Sequence, residues 1–143
     1  MSHSMEVKVD HWATLEKDAL AIRYEVFVVE QQVPEELEKD EWDAQCWHAV
    51  AYRNDGVAVA TGRLLPDGHI GRVAVIESMR GKGVGTQIMD ALIEKAAGAG
   101  HKMLVLSSQV HARAFYERRG FVAEGDIYDD AGIDHILMRR HLA

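Results

Sequence analysis

The chain has 143 residues, of which 48% are hydrophobic, and its formal net charge at pH 7 is -7. This length and apolar content predict one folded domain with its own core and exclude a disordered polar segment. The negative charge argues against a protein that binds nucleic acid or an anionic membrane, since both partners need a basic surface. A single cysteine, Cys46, excludes an internal disulfide and a cysteine-based metal centre and favours the reducing cytoplasm.

No apolar stretch reaches the roughly 18 residues that a membrane-spanning helix needs, and no secretory signal is recognisable. We therefore expect a cytoplasmic protein without membrane contact. Because no repeat, low-complexity segment or linker divides residues 5–143, we expect them to form a single domain. Residues 1–4, which precede Met5, are interpreted as a remnant of expression cloning.

The first half of the chain predicts a strand, a helix and then three strands. Residues 5–9 alternate weakly like a strand, and Thr14 is expected to cap a helix with a broad apolar face. Short turns separate three apolar segments at residues 46–52, 57–65 and 70–76. These segments are therefore predicted to be antiparallel neighbours in one sheet.

Apolar residues at helical spacing over residues 85–97 predict the central helix, and residues 103–107 predict a short buried strand. Because a whole helix connects it to the strand at residues 70–76, this later strand must run parallel to that one. The remaining predicted elements are a short helix at residues 112–119, strands at 121–123 and 133–139, and a turn or loop at 127–132.

The predicted element order is therefore β–α–β–β–β–α–β–α–β–β. It belongs to the α/β class and predicts a mixed, mostly antiparallel sheet of about seven strands with helices on both faces. An acidic segment after Pro34 lies between the first helix and the second strand. It suggests either a solvated loop or short helix, or an acidic wall that attracts a cationic amine. Its acids are Glu35, Glu36, Glu38, Asp40, Glu41 and Asp43.

A glycine-rich turn at residues 80–85, Arg-Gly-Lys-Gly-Val-Gly, joins the strand at residues 70–76 to the central helix. The first N–H groups of a helix lack internal partners and carry partial positive charge, so such a turn is suited to holding phosphate. The P-loop and the dinucleotide motif are both excluded, because neither has its full set of glycine, lysine and hydroxyl residues here. A plain strand-to-helix turn with surface charges is the alternative.

The pattern Arg-x-x-Gly-x-Gly resembles the pyrophosphate loop of the GNAT superfamily of N-acetyltransferases, which use acetyl-coenzyme A. A second pattern in that family, Asn-x-x-Ala-x-x-Phe-Tyr followed by Gly-Phe, resembles the stretch from Gln109 to Phe121, with Gln109 where asparagine is more usual. The predicted element order is also similar to the GNAT fold. A narrower resemblance, to the ElaA-like branch, rests on residues 23–31, 71–73, 109–111 and 128–135 and on Pro34, Asp43 and His48.

This resemblance implies direct transfer of acetyl from acetyl-coenzyme A, without a metal, to a primary amine of a small molecule, peptide or protein. The alternative is a non-catalytic sensor that binds acyl-coenzyme A on the same fold. A homodimer is compatible with such a fold, although nothing in the sequence indicates one. The implied coenzyme-binding residues are Val73, Ala74, Val75, Arg80, Gly81, Lys82, Gly83, Val84, Gly85, Thr86, Gln109 and Tyr116.

Tyr116 is the predicted general acid. A phenol with a pKa of about 10 stays protonated at neutral pH and can protonate a departing thiolate, whose thiol titrates near 8.5. The alternative is a core tyrosine whose hydroxyl is hydrogen-bonded within the protein. The base is left open among Glu30, a water relay and four further residues, with Glu30 favoured because the loop after the first helix borders the acceptor site in this fold. The four others are His48, Glu77, His111 and His135.

The remaining histidines and the cysteine predict no further chemistry. Eight histidines without metal-ligand spacing do not indicate a metal site. Cys46, which precedes Trp47 in a predicted strand, is expected to be a buried bystander rather than an acetylated intermediate.

Overall fold

The computed structural model of the chain describes residues 5–38 and 40–142, without the side chain of Leu37. The expected cloning remnant at residues 1–4 and the end of the expected domain at Ala143 lie outside the described residues. The strands are β1 (Glu6–His11), β2 (Trp47–Tyr52), β3 (Ala58–Leu64), β4 (His69–Val75), β5 (Met103–Gln109), β6 (Val122–Asp130) and β7 (Ile133–His141).

The helices are α1 (Trp12–Arg23), α2 (Glu35–Glu38), α3 (Val84–Gly98) and α4 (Arg113–Glu117). A π-helix, Tyr24–Glu30, continues α1, and short 3₁₀ turns lie at Glu41–Gln45, Glu77–Met79 and Val110–Ala112. None of the helices in residues 5–38 and 40–142 is long and apolar enough to cross a membrane.

The strands form one seven-stranded sheet in the order β1-β2-β3-β4-β5-β7-β6. Only β4 and β5 pair in parallel, and all other neighbours are antiparallel. The predicted element order, the mixed sheet and the parallel strand after the central helix are thus confirmed. The connection through α3 is the reason, because a crossover that returns over the sheet brings the next strand in parallel.

Two details of the predicted elements are wrong. The first helix begins at Trp12 with His11 as its N-cap, so Thr14 lies inside the helix and does not cap it. The predicted turn or loop at residues 127–132 belongs largely to β6, and only Ala131 and Gly132, both with positive φ, turn the chain into β7. Pairing with β7 along an exposed edge overrides the low strand propensity of the aspartates there.

The two faces of the sheet carry different helices. On one face α3 and α4 cover the larger apolar core, in which Ile88, Met89 and Leu92 are fully buried. On the other face α1 packs through Leu15, Ala19 and Ile22. A Cβ atom on Gly62 of β3 would lie 3.0 Å from both Ile88 and Leu92, so glycine allows α3 to approach the sheet closely.

Candidate active site

β4 and β5 separate soon after they meet. Their pairing is confined to His69 with Val105 and Ile70 with Leu106, yet β4 continues to Val75 and β5 to Gln109. The backbone edge of residues 71–75 that faces β5 therefore has no strand partner among the described residues. Ile76 donates its N–H to Val59 of β3 (3.0 Å), so Val75, one residue earlier, directs its backbone groups towards this opening.

The glycine-rich turn lies directly beyond this open edge, at the amino end of α3. Gly81 and Gly83 have φ of 77° and 79°, and no atom lies within 4 Å of where their Cβ atoms would be. Gly83 is the N-cap, and neither a side-chain cap nor an acid in the first turn competes for the free N–H groups. An anion can therefore reach these backbone amides, which is what a phosphate site requires.

Tyr116 lies on α4, which packs against the start of α3. The Phe115 ring lies 3.4 Å from the position of a Cβ on Gly85, and the Tyr116 ring meets Phe115 and Phe121 edge to face. Burial raises the pKa of Tyr116 to about 12. Its hydroxyl makes no hydrogen bond to any residue in the described part of the chain, unlike the bonded core tyrosine of the alternative interpretation.

Glu30 and Gln31, here called the strap, end the π-helix and contact residues on both sides of the opening. The Arg80 guanidinium donates to both carboxylate oxygens of Glu30, at 2.6 and 2.7 Å, and its Nε donates to the carbonyl of Val75 at 3.0 Å. Gln31 and Gln109 exchange amide hydrogen bonds of 2.8 and 3.2 Å. The strap thus ties the residue that begins the glycine-rich turn and the last residue of β5 to the same segment.

The Arg80 contact decides the protonation of the predicted base. Hydrogen bonds from Arg80 lower the pKa of Glu30 and raise the pKa of the guanidinium in turn. Glu30 is therefore an ionised but weak base while the pair is closed. An amine near pKa 10 is deprotonated poorly by such a group, so base catalysis by Glu30 requires that the ion pair opens first.

Six charged residues, here called the ionic cluster, join α1, the acidic segment, β3 and β4 on the α1 face. Arg23 donates to both oxygens of Asp43 (2.9 and 3.1 Å) and contacts the Glu38 carboxylate. Arg63 donates to both oxygens of Asp40 (2.7 and 2.8 Å) and to Asp43 (2.8 Å). The cluster consists of Arg23, Glu38, Asp40, Asp43, Arg63 and Arg72.

The ionic cluster changes the interpretation of the acidic segment. Glu38 and Asp43 are buried and Asp40 is half-buried, and arginines pair with all three, so they form neither a solvated face nor a wall for a cationic ligand. Glu35, Glu36 and Glu41 stay exposed. The sequence carried one signal that was missed, namely an arginine, Arg23, next to Ile22 on the apolar side of α1.

Electrostatics within the cluster are strong. The hydrogen bonds and charge of Arg63 lower the pKa of Asp40 to about 2. Burial acts to raise the pKa of Asp43, but its bonds to Arg23 and Arg63 prevail and lower it. Asp40 and Asp43 are thus ionised opposite the arginines of the cluster.

Two of the sequence candidates prove to be structural. His48 is 1% exposed, and its Nε2 lies 2.8 Å from the Asp43 carbonyl, while burial lowers its pKa. This placement makes His48 part of the packing beneath the cluster and not a base. Cys46 is buried with its Sγ 3.1 Å from the Trp42 carbonyl, and burial raises the thiol pKa to about 11, as expected for a bystander.

The other candidate bases lie at the end of the sheet where β4 and β5 end and β7 begins. Glu77 and His111 are exposed in 3₁₀ turns after β4 and β5. His135 lies opposite Gln109 in the sheet, with Nδ1 2.7 Å from the Ile133 carbonyl, and it stacks on Tyr128. Tyr128 in turn contacts the Ser107 hydroxyl, which extends a polar surface from Gln109 outward. Of these groups, the sequence reasoning overlooked Tyr128 and Ser107.

Comparisons with known proteins agree with this geometry. The family model described as "Acetyltransferase (GNAT) domain" matches residues 10–142. The chain is 39% identical over 127 residues to an uncharacterized N-acetyltransferase, YjcF, of Bacillus subtilis, covering 87% of this chain and 91% of YjcF. It is 33% identical over 148 residues to the protein ElaA of Escherichia coli, covering 98% of this chain and 94% of ElaA.

Two solved structures are also similar to this chain over nearly its whole length. The crystal structure of an acyl-CoA N-acyltransferase from Pseudomonas aeruginosa has a TM-score of 0.85 and 37% sequence identity, with 96% of this chain and 99% of that chain covered. The crystal structure of Escherichia coli ElaA has a TM-score of 0.86 and 31% identity, with 96% and 100% covered.

Proposed function

Because this chain belongs to the GNAT acetyltransferase family, in its ElaA-like branch, we propose that it transfers acetyl from acetyl-coenzyme A to a primary amine. Membership of the family makes it an acyltransferase, and the acetyl donor and amine acceptor are the proposed refinement. The observation that carries the refinement is the separation of β4 from β5 directly before the glycine-rich turn. A free strand edge followed by free helix amides suits a donor with an extended amide arm and a pyrophosphate.

The coenzyme would contact three groups of residues. The turn at residues 80–86 would hold the pyrophosphate through backbone amides, with Arg80 and Lys82 adding charge. The β4 backbone at Val73 and Val75 would pair with the amide arm as an added strand does, while Ala74 between them pairs with Thr61 of β3. Gln109, at the end of β5, would offer its side-chain amide to the same arm once it leaves Gln31.

The chemical step forms a C–N bond between amine and acetyl carbon and breaks the C–S bond of the thioester. We propose that a β4 backbone N–H at residues 73–75 stabilises the carbonyl oxygen as it gains negative charge. Tyr116 gives its phenolic proton to the departing thiolate and regains one from solvent. The absence of any hydrogen-bond partner among described residues supports this role, since the proton is not already committed.

We propose that Glu30 accepts the proton of the attacking amine, but only while its ion pair with Arg80 is open. When the pyrophosphate binds Arg80 in place of Glu30, the Arg80–Glu30 ion pair opens and the pKa of Glu30 returns towards its ordinary value. The carboxylate then lies on the strap, free to accept a proton directly or through water. The lone buried thiol and the acidic composition support a cytoplasmic location, with neither nucleic acid nor membrane as partner.

The test combines calorimetry with an amine screen. Acetyl-coenzyme A is expected to bind with about micromolar affinity, near -8 kcal/mol, whereas ATP and NAD bind far more weakly. Thiol release is then measured across primary amines and lysine peptides. Equal binding of ATP, or none of acetyl-coenzyme A, would overturn the proposal.

The variant Tyr116→Phe separates enzyme from sensor. It should bind acetyl-coenzyme A normally and lose about 10²- to 10⁴-fold in kcat, the usual size of a general-acid contribution. Tyr24→Phe, in the exposed part of the π-helix, is the matched control and should keep full activity. Binding without turnover of any amine, in the unmodified protein, would favour a non-catalytic sensor.

A further inference from the structure

The β4 strand contains a bulge in its pairing with β3, and the bulge lies within residues 71–75, whose other edge is open. Thr61 pairs with Ala74 and Arg63 pairs with Gly71, so two residues of β4, Arg72 and Val73, lie opposite Gly62 alone. Arg72 adopts a left-handed backbone conformation, with φ of 51°. A long side chain rarely adopts this conformation because its Cβ crowds the following carbonyl, so something must hold it there.

The side chain of Arg72 supplies that restraint. Its Nε donates to the carbonyl of Glu38 at 2.9 Å, and a terminal nitrogen contacts Asp40 at 3.3 Å. Asp40 is itself held by both terminal nitrogens of Arg63, which lies on β3 beside the bulge. The acidic segment therefore holds the guanidinium at two points, and Arg63 of β3 in turn holds one of them, Asp40.

The strain and the restraint lie immediately before the backbone that the proposed reaction uses. Val73 packs beneath the bulge, with its side chain 3.3 Å from the position of a Cβ on Gly62, and Val75 directs its backbone towards the opening. A change of φ at residue 72 would rotate the peptide groups at residues 73–75. Their direction therefore depends on an ion-pair network that lies outside the opening itself.

We infer that Arg72 is a positioning residue for acyl transfer, because the ionic cluster holds its guanidinium and thereby fixes the β4 bulge and the backbone that meets the thioester. This inference rests on the proposed function for its catalytic part and on the geometry alone for its structural part. Arg72 acts through the backbone of β4 and not by contact with the acetyl group.

The principal test replaces Arg72 by glycine. Arg72→Gly removes the anchor but tolerates the left-handed backbone, so it separates anchoring from simple strain. The control is Ala131→Gly, which relieves a similar φ of 54° in the β6–β7 turn. We expect kcat to fall about 10- to 100-fold for Arg72→Gly, as misplacement of reacting groups by about 1 Å does, and not to fall for Ala131→Gly.

Binding measurements distinguish positioning from other roles. Coenzyme A without its acetyl group should bind to Arg72→Gly as it does to the unmodified protein, because the glycine-rich turn is intact. Arg72→Lys, which keeps the charge but not the planar fork, should restore only part of kcat. An unchanged kcat, or an effect confined to the KM of the amine, would overturn the inference.

A second variant tests the same anchor without changing β4, in case Arg72→Gly does not fold. Asp40→Asn leaves β4 untouched and weakens the anchor from outside, so it should give a smaller loss of kcat in the same direction. The double variant should be no slower than Arg72→Gly alone, because both act through one contact. Fully additive losses would contradict a shared mechanism.

Amide hydrogen exchange makes the structural part independent of activity. Exchange at residues 71–75, measured without coenzyme, should be faster in Arg72→Gly than in Ala131→Gly or the unmodified protein. If the unmodified protein transfers no acetyl group, the proposed function fails, but exchange at residues 71–75 still decides whether Arg72 fixes the bulge. Unchanged exchange there would refute that role.

Discussion

On the α3 face of the sheet the helix is held by side chains such as Ile88, Met89 and Leu92, whereas on the α1 face six charged side chains meet beside β3 and β4. Apolar contacts are nondirectional, so the α3 face can exchange one side chain for another of similar volume. Ion pairs depend on direction and on every partner being present. The α1 face is therefore less tolerant of a single loss.

The difference also separates stability from geometry. A buried ionic network repays its desolvation only partly, so it adds little to the free energy of folding compared with apolar residues of the same volume. What it does provide here is a fixed direction for Arg72 and the acidic segment. The apolar face, in contrast, provides the platform on which α4 holds Tyr116.

The largest expected effect is the loss of one carboxylate from the cluster. Asp43→Ala leaves Arg23 and Arg63 buried without their shared partner and should lower the free energy of unfolding by about 3–5 kcal/mol. Leu92→Met, a volume-conserving change in the α3 face, should lower it by less than about 1.5 kcal/mol. Urea denaturation of both variants measures the contrast. Equal losses would show that the two faces do not differ in tolerance.

The pH dependence of stability tests the same difference between the two faces, because only the α1 face carries the ionic cluster. Arg63 holds the pKa of Asp40 at about 2 in the folded protein, against 3.8 ordinarily. The resulting stabilisation, about 2 kcal/mol, is present above about pH 4 and is lost as the pH falls towards 2. Stability measured from pH 7 to 2.5 should thus fall more steeply in the unmodified protein than in Asp40→Asn. Asp55→Asn should stay close to the unmodified curve, because solvent screens its exposed ion pair with Arg53.

Crowding the α3 face should have a moderate effect. Gly62→Ala places a methyl group 3.0 Å from Ile88 and Leu92, and the overpacking outweighs the gain from a stiffer unfolded chain, for a net loss of about 1 kcal/mol. Gly98→Ala, at a position with no atom within 4 Å, is the control and should not destabilise. A stabilised Gly62→Ala would mean that α3 moves away without penalty.

The smallest expected change in binding or stability concerns the strap. Glu30→Gln removes the competitor for Arg80 and should tighten acetyl-coenzyme A binding about two- to fivefold, the range of an exposed ion pair. Calorimetry measures this, with Glu25→Gln on the same π-helix as control. If Glu30 also accepts the amine's proton, kcat falls by about 10²-fold or more in the same variant. Weaker binding would contradict competition between strap and coenzyme.

Short-range patterns in the sequence predicted much of the fold. The period of the apolar residues predicted α3, the β-branched runs predicted β2 to β5, and the long crossover required β5 to run parallel to β4. The glycine-rich turn was predicted at the right place, because alternate glycines allow the backbone between a strand and a helix to adopt positive φ. The aspartates of β6 were misjudged, since an exposed edge strand depends on its partner β7 and not on its own propensity.

By itself, then, the sequence determined the order of elements, the glycine-rich turn before α3 and the position of Tyr116 in its motif, because each depends on residues close together in the chain. Only the tertiary structure decided the partners of Arg23, Arg63 and Arg72, the contact between Glu30 and Arg80, and the bulge at Arg72. Those partners lie 15 to 50 residues apart. Which charge meets which is fixed only when α1, the acidic segment and the sheet pack against each other.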